Sequence, residues 1–462
     1  MVGNGVGDLL VAVVGGIAAG GITYVALRGL HVVDGTSRID AKESVASGEQ
    51  ASGEQHTLGP RRLGRVPALD GLRGIAILLV LMAHTGASFI PSWFRFHHNY
   101  GLFEGSLGVD VFFVLSGFLI TALLLRDQTD RGHVNLGSFY RNRALRLLPA
   151  LVVMLAGVLA FRWLAGESMR GQLESAAFGL FYLANWQSTW NHHEVVNFGH
   201  LWSLSVEEQF YLVWPSVLIV CFGLRRNVRV VTAGLVAVIV AIAIRRGLLW
   251  GSGYNWVLLY QHADMRADSL LIGALLACLW VRRLTPQRGL SAAGWIASGV
   301  LVACVAFTRS EALGYFRPSN GFLYQGGFVL VAVACAVMIL ASVDGRWAGT
   351  RVLELRPLRA LGVISYGLYL WHLPVFVEVA AHTKTWAVLP RVALAWAIAF
   401  ALTIASWKVV EQPSLRLKNR PGRRNDEHPG TPAVILPRRD TVLGADWART
   451  REPAGETFDP HS

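Results

Sequence analysis

Arg73 and His84 stand at the two ends of an otherwise apolar stretch within LDGLRGIAILLVLMAH, residues 69–84. Eleven positions on an α-helix make about three full turns and a further 20°, so both side chains lie on one face, about 16 Å apart along the axis. A guanidinium holds an anion, whereas an imidazole that titrates near neutrality removes a proton from a hydroxyl or forms a covalent intermediate. The pair therefore suggests a channel that admits an anionic molecule past Arg73 and delivers its reactive end to His84. A plainer account is open as well: Arg73 snorkels and pairs with Asp70 one turn away, and His84 hydrogen-bonds a neighbouring helix. An ionisable group at the centre of a bilayer costs at least about 2.5–3.5 kcal/mol, so the remaining internal polar residues bear on the choice.

Three further segments carry such residues. GVDVFFVLSGFLIT (108–121) holds Asp110, Ser116 and Thr121, and HLWSLSVEEQFYLVWP (200–215) holds His200, Glu207, Glu208 and Gln209. SYGLYLWHLPV (365–375) holds Ser365, Tyr366, Tyr369 and His372. Hydrogen bonding between helices suffices for Ser116 and Thr121, but a membrane carboxylate such as Glu207 needs a cationic or hydrogen-bonding partner. In FYRNRALRLLPAL (139–151), Arg143 and Arg146 are three apart and so neighbours on one helix face. Paired guanidiniums suit phosphate, and they equally suit a topological anchor.

These residues sit in a chain that is 53% hydrophobic and 16% charged, with a mean hydropathy of +0.42. That composition is predicted to give an all-α, polytopic membrane helix bundle. The net charge of +12 then reflects arginines in short loops and implies no nucleic-acid partner. Cys221, Cys278, Cys304 and Cys335 each fall in or at the end of an apolar run, with no CxxC and no His/Cys cluster, so no disulfide framework or metal site is predicted. Apolar runs fall near 68–89, 107–125, 147–164, 173–186, 201–223, 230–247, 266–281, 290–307, 322–342, 361–381 and 388–407. Run 173–186 is short for a span of about 20 residues. If it does not cross, the loops of one side hold 24 Lys and Arg between residues 61 and 424, against nine on the other side. The positive-inside rule then makes the 24-residue side cytoplasmic and leaves about ten core spans with both ends in the cytoplasm. Residues 1–66 form an N-terminal apolar segment (9–27) plus a flexible linker containing SGEQASGEQ; 67–413 form the membrane domain; 414–462, rich in Pro, Arg, Asp and Glu, read as a disordered cytoplasmic tail.

In this order and setting, the motifs resemble those of the integral-membrane acyltransferases called acyltransferase family 3. Arg73 and His84 match the family's R-x10-H signature; GVDVFFVLSGFLIT, the arginine-rich loop, WSLSVEEQFYLVWP, RADSLLIGALLA, SYGLYLWHLPV and the closing Glu411-Gln412-Pro413 follow in sequence. The similarity covers about residues 65–415. Asn142-Arg143 stands where the family has adjacent arginines, which leaves Arg143 and Arg146 as the matched positions. The resemblance implies transfer of an acyl group from a cytoplasmic donor, commonly acyl-CoA as co-substrate with no permanently bound cofactor, to a hydroxyl of a sugar, glycolipid or glycan. It makes His84 and Glu207 the catalytic candidates, Arg73, Arg143 and Arg146 the donor-binding ones, and Asp110, Arg266, Asp268, Tyr369 and His372 members of the polar centre. Many members carry a fused SGNH-type hydrolase domain; the short stretch after Pro413 leads to the expectation of none here, so that the chain either acylates its acceptor itself or hands the group to a separate extracytoplasmic acyl-handling protein. The expected location is the cell membrane, with multiple passes through the bilayer. A transporter or flippase of an acylated or glycosylated compound, with His84 and Glu207 relaying protons, is the rival reading, and a structural scaffold is a third. The topology carries the first prediction: single cysteines placed in 282–288 and 344–359 resist an impermeant thiol reagent added from outside, and labelling of 344–359 under those conditions overturns the ten-span arrangement.

Overall fold

A computed structural model describes residues 61–89, 106–190, 198–223, 227–307 and 321–418. The apolar segment 9–27, the linker up to residue 60 and the tail beyond 418 lie outside the described residues. Among the described residues every regular element is helical. The long ones are α1 (Pro67–Phe89), α2 (Ser106–Arg131), α3 (Leu136–Leu164), α4 (Met169–Leu180), α5 (Leu201–Gly223), α6 (Val228–Gly251), α7 (Ala263–Val281), α8 (Leu290–Phe307), α9 (Phe328–Asp344), α10 (Arg356–His382) and α11 (Val388–Ser406). Each of the eleven apolar runs overlaps one of these.

Eight helices among the described residues are long and apolar enough to cross a membrane, and Leu290–Val305 is a shorter apolar helix. The run at 173–186 breaks into α4, twelve residues long, and a seven-residue helix at Ala184–Trp190. At about 1.5 Å per residue neither reaches across a core of about 30 Å. Helix α7 carries Asp264, Arg266 and Asp268 in its first turns, and almost all of its side chains are buried. Protein rather than lipid surrounds it, so it can hold charges that a lipid-facing helix could not. The opposite character marks the periphery, where Leu164, Leu212, Leu248, Ile296, Val302 and Leu389 are all exposed. Such a surface has a matching solvent only in lipid. The chain continues from α11 through a π-helical turn (Trp407–Glu411) into Gln412–Lys418, so the first residues assigned to the tail are helical.

Two helix pairs approach so closely that only glycine fits between them. A Cβ on Gly71 would lie 1.7 Å from the carbonyl oxygen of Leu353, one on Gly74 2.1 Å from that of Leu358, and one on Gly362 1.8 Å from that of Asp70. These three positions interlock α1 with α10 and with the short helix Gly349–Leu353 that precedes it. Gly117 and Gly273 do the same for α2 and α7, with Leu270 and Val114 carbonyl oxygens 1.9 and 2.1 Å from the missing Cβ atoms. Helices in lipid gain little from the hydrophobic effect when they associate, so close backbone approach is a main source of their packing energy. Above the α1–α10 interlock, Ile77, Val80, Leu81, Phe113, Leu368 and Phe376 fill one buried cluster.

Gly362→Ala is expected to lower the stability of the solubilised protein by about 1–3 kcal/mol or more, because backbone rather than a flexible side chain must move. Gly299→Ala, with nothing within 4 Å of the added atom, is the control and should be neutral or slightly stabilising. Thermal unfolding midpoints in one detergent compare the two.

Candidate active site

The α1–α10 contact that the glycines permit brings three imidazoles together. The rings of His84 and His372 have centroids 4.9 Å apart at 66°, and His200, in the turn before α5, lies 5.3 Å from His372. Carbonyl oxygens fix their protons. His84 Nδ1 is 2.9 Å from the Val80 oxygen, and His372 Nδ1 is 2.7 Å from the Tyr369 oxygen and 3.2 Å from that of Leu368. His200 Nε2 is 3.2 Å from the Leu370 oxygen. A carbonyl only accepts, so each of these nitrogens carries hydrogen, and in the neutral rings the lone pairs sit on His84 Nε2, His372 Nε2 and His200 Nδ1. The lone pair of His372 is turned to His84, with Nε2 3.4 Å from His84 Nδ1. His200 Nδ1 is buried without a hydrogen-bond partner. His372 and His200 are buried and His84 is half-buried, so of the three His84 is the least enclosed. Tyr369 locks the arrangement: its hydroxyl pairs with Ser203 Oγ at 2.7 Å and donates to the backbone oxygen of His200.

The second cluster is cationic. Arg73 lies on α1 below His84, and the ion pair with Asp70 that the snorkelling account requires is absent: neither Arg73 nor Arg146 has an ion pair or hydrogen bond among the described residues. Arg146 is exposed, yet Arg73, Arg143, Tyr211 and Glu207 are near enough for their charges to act on it. Arg143 is engaged differently, bonding Glu208 at 3.1 Å and stacking on the Tyr211 ring with its guanidinium carbon 3.2 Å from the centroid. Glu207 accepts from Ser116 and from the Tyr211 hydroxyl. The contacts thus join Glu207 to the arginine cluster rather than to His84. Ser203 and Glu207, four residues apart, share one face of α5, and His200 lies in the turn that leads into that helix.

Asp110, Arg266 and Asp268 form a third group, fully buried. Arg266 bonds Asp110 at 2.8 Å, Ser269 Oγ donates to the same carboxylate oxygen at 2.8 Å, and Arg246 bonds Asp268 at 2.7 Å. The Arg266 guanidinium also lies 3.6 Å from the Phe328 ring centroid. This network ties α2, α6 and α7 to one another and makes no contact with the histidines, which is the geometry of a positional role. Arg246 was not singled out in the sequence because RR at 245–246 gives no sign that Arg245 turns out to the exposed Asp264 while Arg246 turns in. His200 was visible only as a polar residue at the head of a motif. No described group of three or more His, Cys, Asp or Glu could hold a metal.

A family model described as an acyltransferase domain matches residues 66–409, and the chain belongs to that family, acyltransferase family 3. It is 31% identical over 365 residues to the peptidoglycan O-acetyltransferase OatA of Listeria monocytogenes, covering 75% of this chain and 55% of the relative. It is 28% identical over 328 residues to the O-acetyltransferase OatA of Staphylococcus aureus strain NCTC 8325, covering 69% of this chain and 51% of the relative. The chain spans about half the length of the curated relatives it matches. No solved structure matches.

Arg266→Met should destabilise the fold by about 3–5 kcal/mol, since it strands the buried Asp110 carboxylate. Asp110→Leu combined with Arg266→Met should recover a large part of that loss, as judged by unfolding midpoint and monodispersity. A double variant as unstable as the single one would show that the charges do more than compensate each other.

Proposed function

We propose that this chain is a membrane-embedded O-acyltransferase that moves an acyl group from an acyl-CoA-type thioester, entering from the cytoplasmic face, to a hydroxyl of a sugar or glycan. The observation that carries the reading is the unshared lone pair of His84 Nε2, on the helix face that leads down to Arg73 and the accessible Arg146. An alcohol is a weak nucleophile at neutral pH, and a neutral imidazole beside it removes the proton as the oxygen attacks the thioester carbon. A C–O bond forms, the C–S bond breaks, and the proton passes through His84 to the departing thiolate. Transfer in two steps, with the acyl group carried on Nε2, uses the same lone pair. The peptidoglycan and O-acetyl chemistry in the names of the relatives supports a cell-wall glycan as acceptor and acetyl as the group moved. The low-dielectric setting favours His84 further, because a base that stays neutral until it acts has little desolvation cost.

Donor docking divides the arginines. CoA carries its phosphates at one end and the thioester at the other, joined by a long, narrow arm. Arg146 and Arg73, which have no ion pairs of their own among the described residues, supply the phosphate contacts, while Arg143, held by Glu208 and Tyr211, shapes the cleft.

His84→Ala should abolish thiol release from acetyl-CoA by purified, folded protein to within the loss of about 10²–10⁴-fold typical of a missing general base. Parent-like turnover in that variant sinks the assignment and favours the scaffold. Arg146→Lys keeps the charge but lacks the bidentate fork. It should raise the KM for acetyl-CoA, increasingly so as salt rises, with little change in the acceptor's KM. If KM is unmoved over a range of ionic strength, the phosphates bind elsewhere.

A further inference from the structure

We infer that His372 is the positioning residue of His84: its Nε2 lone pair accepts the Nδ1–H of His84, aims Nε2 of His84 at the substrates and steadies the imidazolium that forms there. The inference rests on the proposed role of His84 as base and adds a partner for it. Three features of the site support it.

The first is the fixed tautomers. His372 cannot itself serve the substrates, because its Nδ1–H is committed to the Tyr369 and Leu368 carbonyls and its remaining lone pair faces His84 at 3.4 Å. The ring is fully buried. That distance is long for a resting hydrogen bond and short enough to tighten when His84 becomes charged, as catalytic contacts commonly do. The second feature is competition for the Nδ1–H. Val80 oxygen is also within reach at 2.9 Å, but as the i−4 carbonyl of the same helix it already accepts the backbone N–H of residue 84. The lone pair of His372 has no other claimant. The third is cost. Serine hydrolases place a carboxylate behind the catalytic histidine, but an unpaired carboxylate at this depth would carry a heavy desolvation penalty. A neutral imidazole supplies an acceptor without it.

The proton balance is simple. The acceptor's hydroxyl proton goes to His84 Nε2, and the pair then carries one positive charge, shared across Nδ1–H···Nε2. That proton leaves with the thiolate, and both rings return to their resting tautomers. Around the pair stand Tyr369, bonded to Ser203, and His200, whose Nε2–H is held by Leu370. Asp110 pairs with Arg266, Glu207 bonds Ser116 and Tyr211, and Glu378 pairs with Arg162, while Glu411 lies against Gly367 of α10. Among the described residues no carboxylate bonds His84 in place of His372.

The test compares three variants of the full chain in nanodiscs, with acetyl-CoA as donor and thiol release as readout. In His372→Gln the side-chain oxygen reaches roughly the place of Nε2, and in His372→Asn the shorter amide does not; His372→Phe removes the acceptor and keeps a ring. Phe and Asn should lower kcat by about 10–100-fold, the range found when a group that orients a functional histidine is lost. Their KM for acetyl-CoA should stay within about twofold of the parent, and Gln should recover most of the rate. A second readout needs no donor: carbethoxylation of His84 by diethylpyrocarbonate, followed by mass spectrometry, should be several-fold slower in Phe and Asn than in the parent and in Gln. Equal rates for Gln and Asn in both assays, or parent-like kcat in Phe, overturn the positioning role even if His84→Ala is inactive. An active His84→Ala protein instead overturns the role of His84 as base, and the two failures are told apart.

Discussion

Backbone carbonyls sitting where side chains would otherwise be set the geometry of this protein. Asp70 and Leu358 oxygens approach the bare Cα positions of Gly362 and Gly74 so closely that α1 and α10 pack almost backbone to backbone. Only at that separation can an imidazole on one helix reach an imidazole on the other, as His84 and His372 do. A methyl group added at the interlock would meet backbone that has to move. Packing energy and catalytic geometry therefore depend on the same few glycines.

Polar residues within the bundle divide by how completely their partners satisfy them. Asp110, Arg266, Arg246 and Asp268 bind one another in full burial and fasten α2, α6 and α7. Their charges are compensated, which suits structure and leaves little for a ligand. The arginine cluster is only partly compensated, with Arg143 held by Glu208 and Arg146 exposed. His200 and His372 are committed to carbonyls through one nitrogen each, and His84 Nδ1 lies within reach of both the Val80 oxygen and His372 Nε2. A bilayer protein can keep a reactive group at depth when it is uncharged at rest, and an anion-binding group where water still reaches it. The gradient from Arg146 to His84 follows that rule.

The two ends of this gradient also explain why Glu207 sits with the cations. A carboxylate beside His84 would stand at depth with no cation to pair with and carry a heavy desolvation penalty. Bonded instead to Ser116 and Tyr211 and close to Arg143 and Arg146, Glu207 offsets like charges that would otherwise repel.

Much of this was legible in the chain itself. Apolar runs of span length separated by arginine-rich loops specified an all-helical membrane bundle, because a bilayer accepts few other solutions. The 3.6-residue period placed Arg73 and His84 on one face with no knowledge of any neighbour. The motif order pointed to the family and, through it, to the chemistry. The shortness of run 173–186 marked it as unable to cross, and it folds as two short helices. What the sequence left open was pairing. Periodicity says which residues share a face of one helix, and nothing in it says which face of which other helix lies opposite. So it could not say that His84 meets His372 and not Glu207, that His200 completes the cluster from a turn, or that Arg246 and not Arg245 is buried. Those outcomes depend on interhelical distances set by glycine contacts far apart in the chain, and only the tertiary structure holds them.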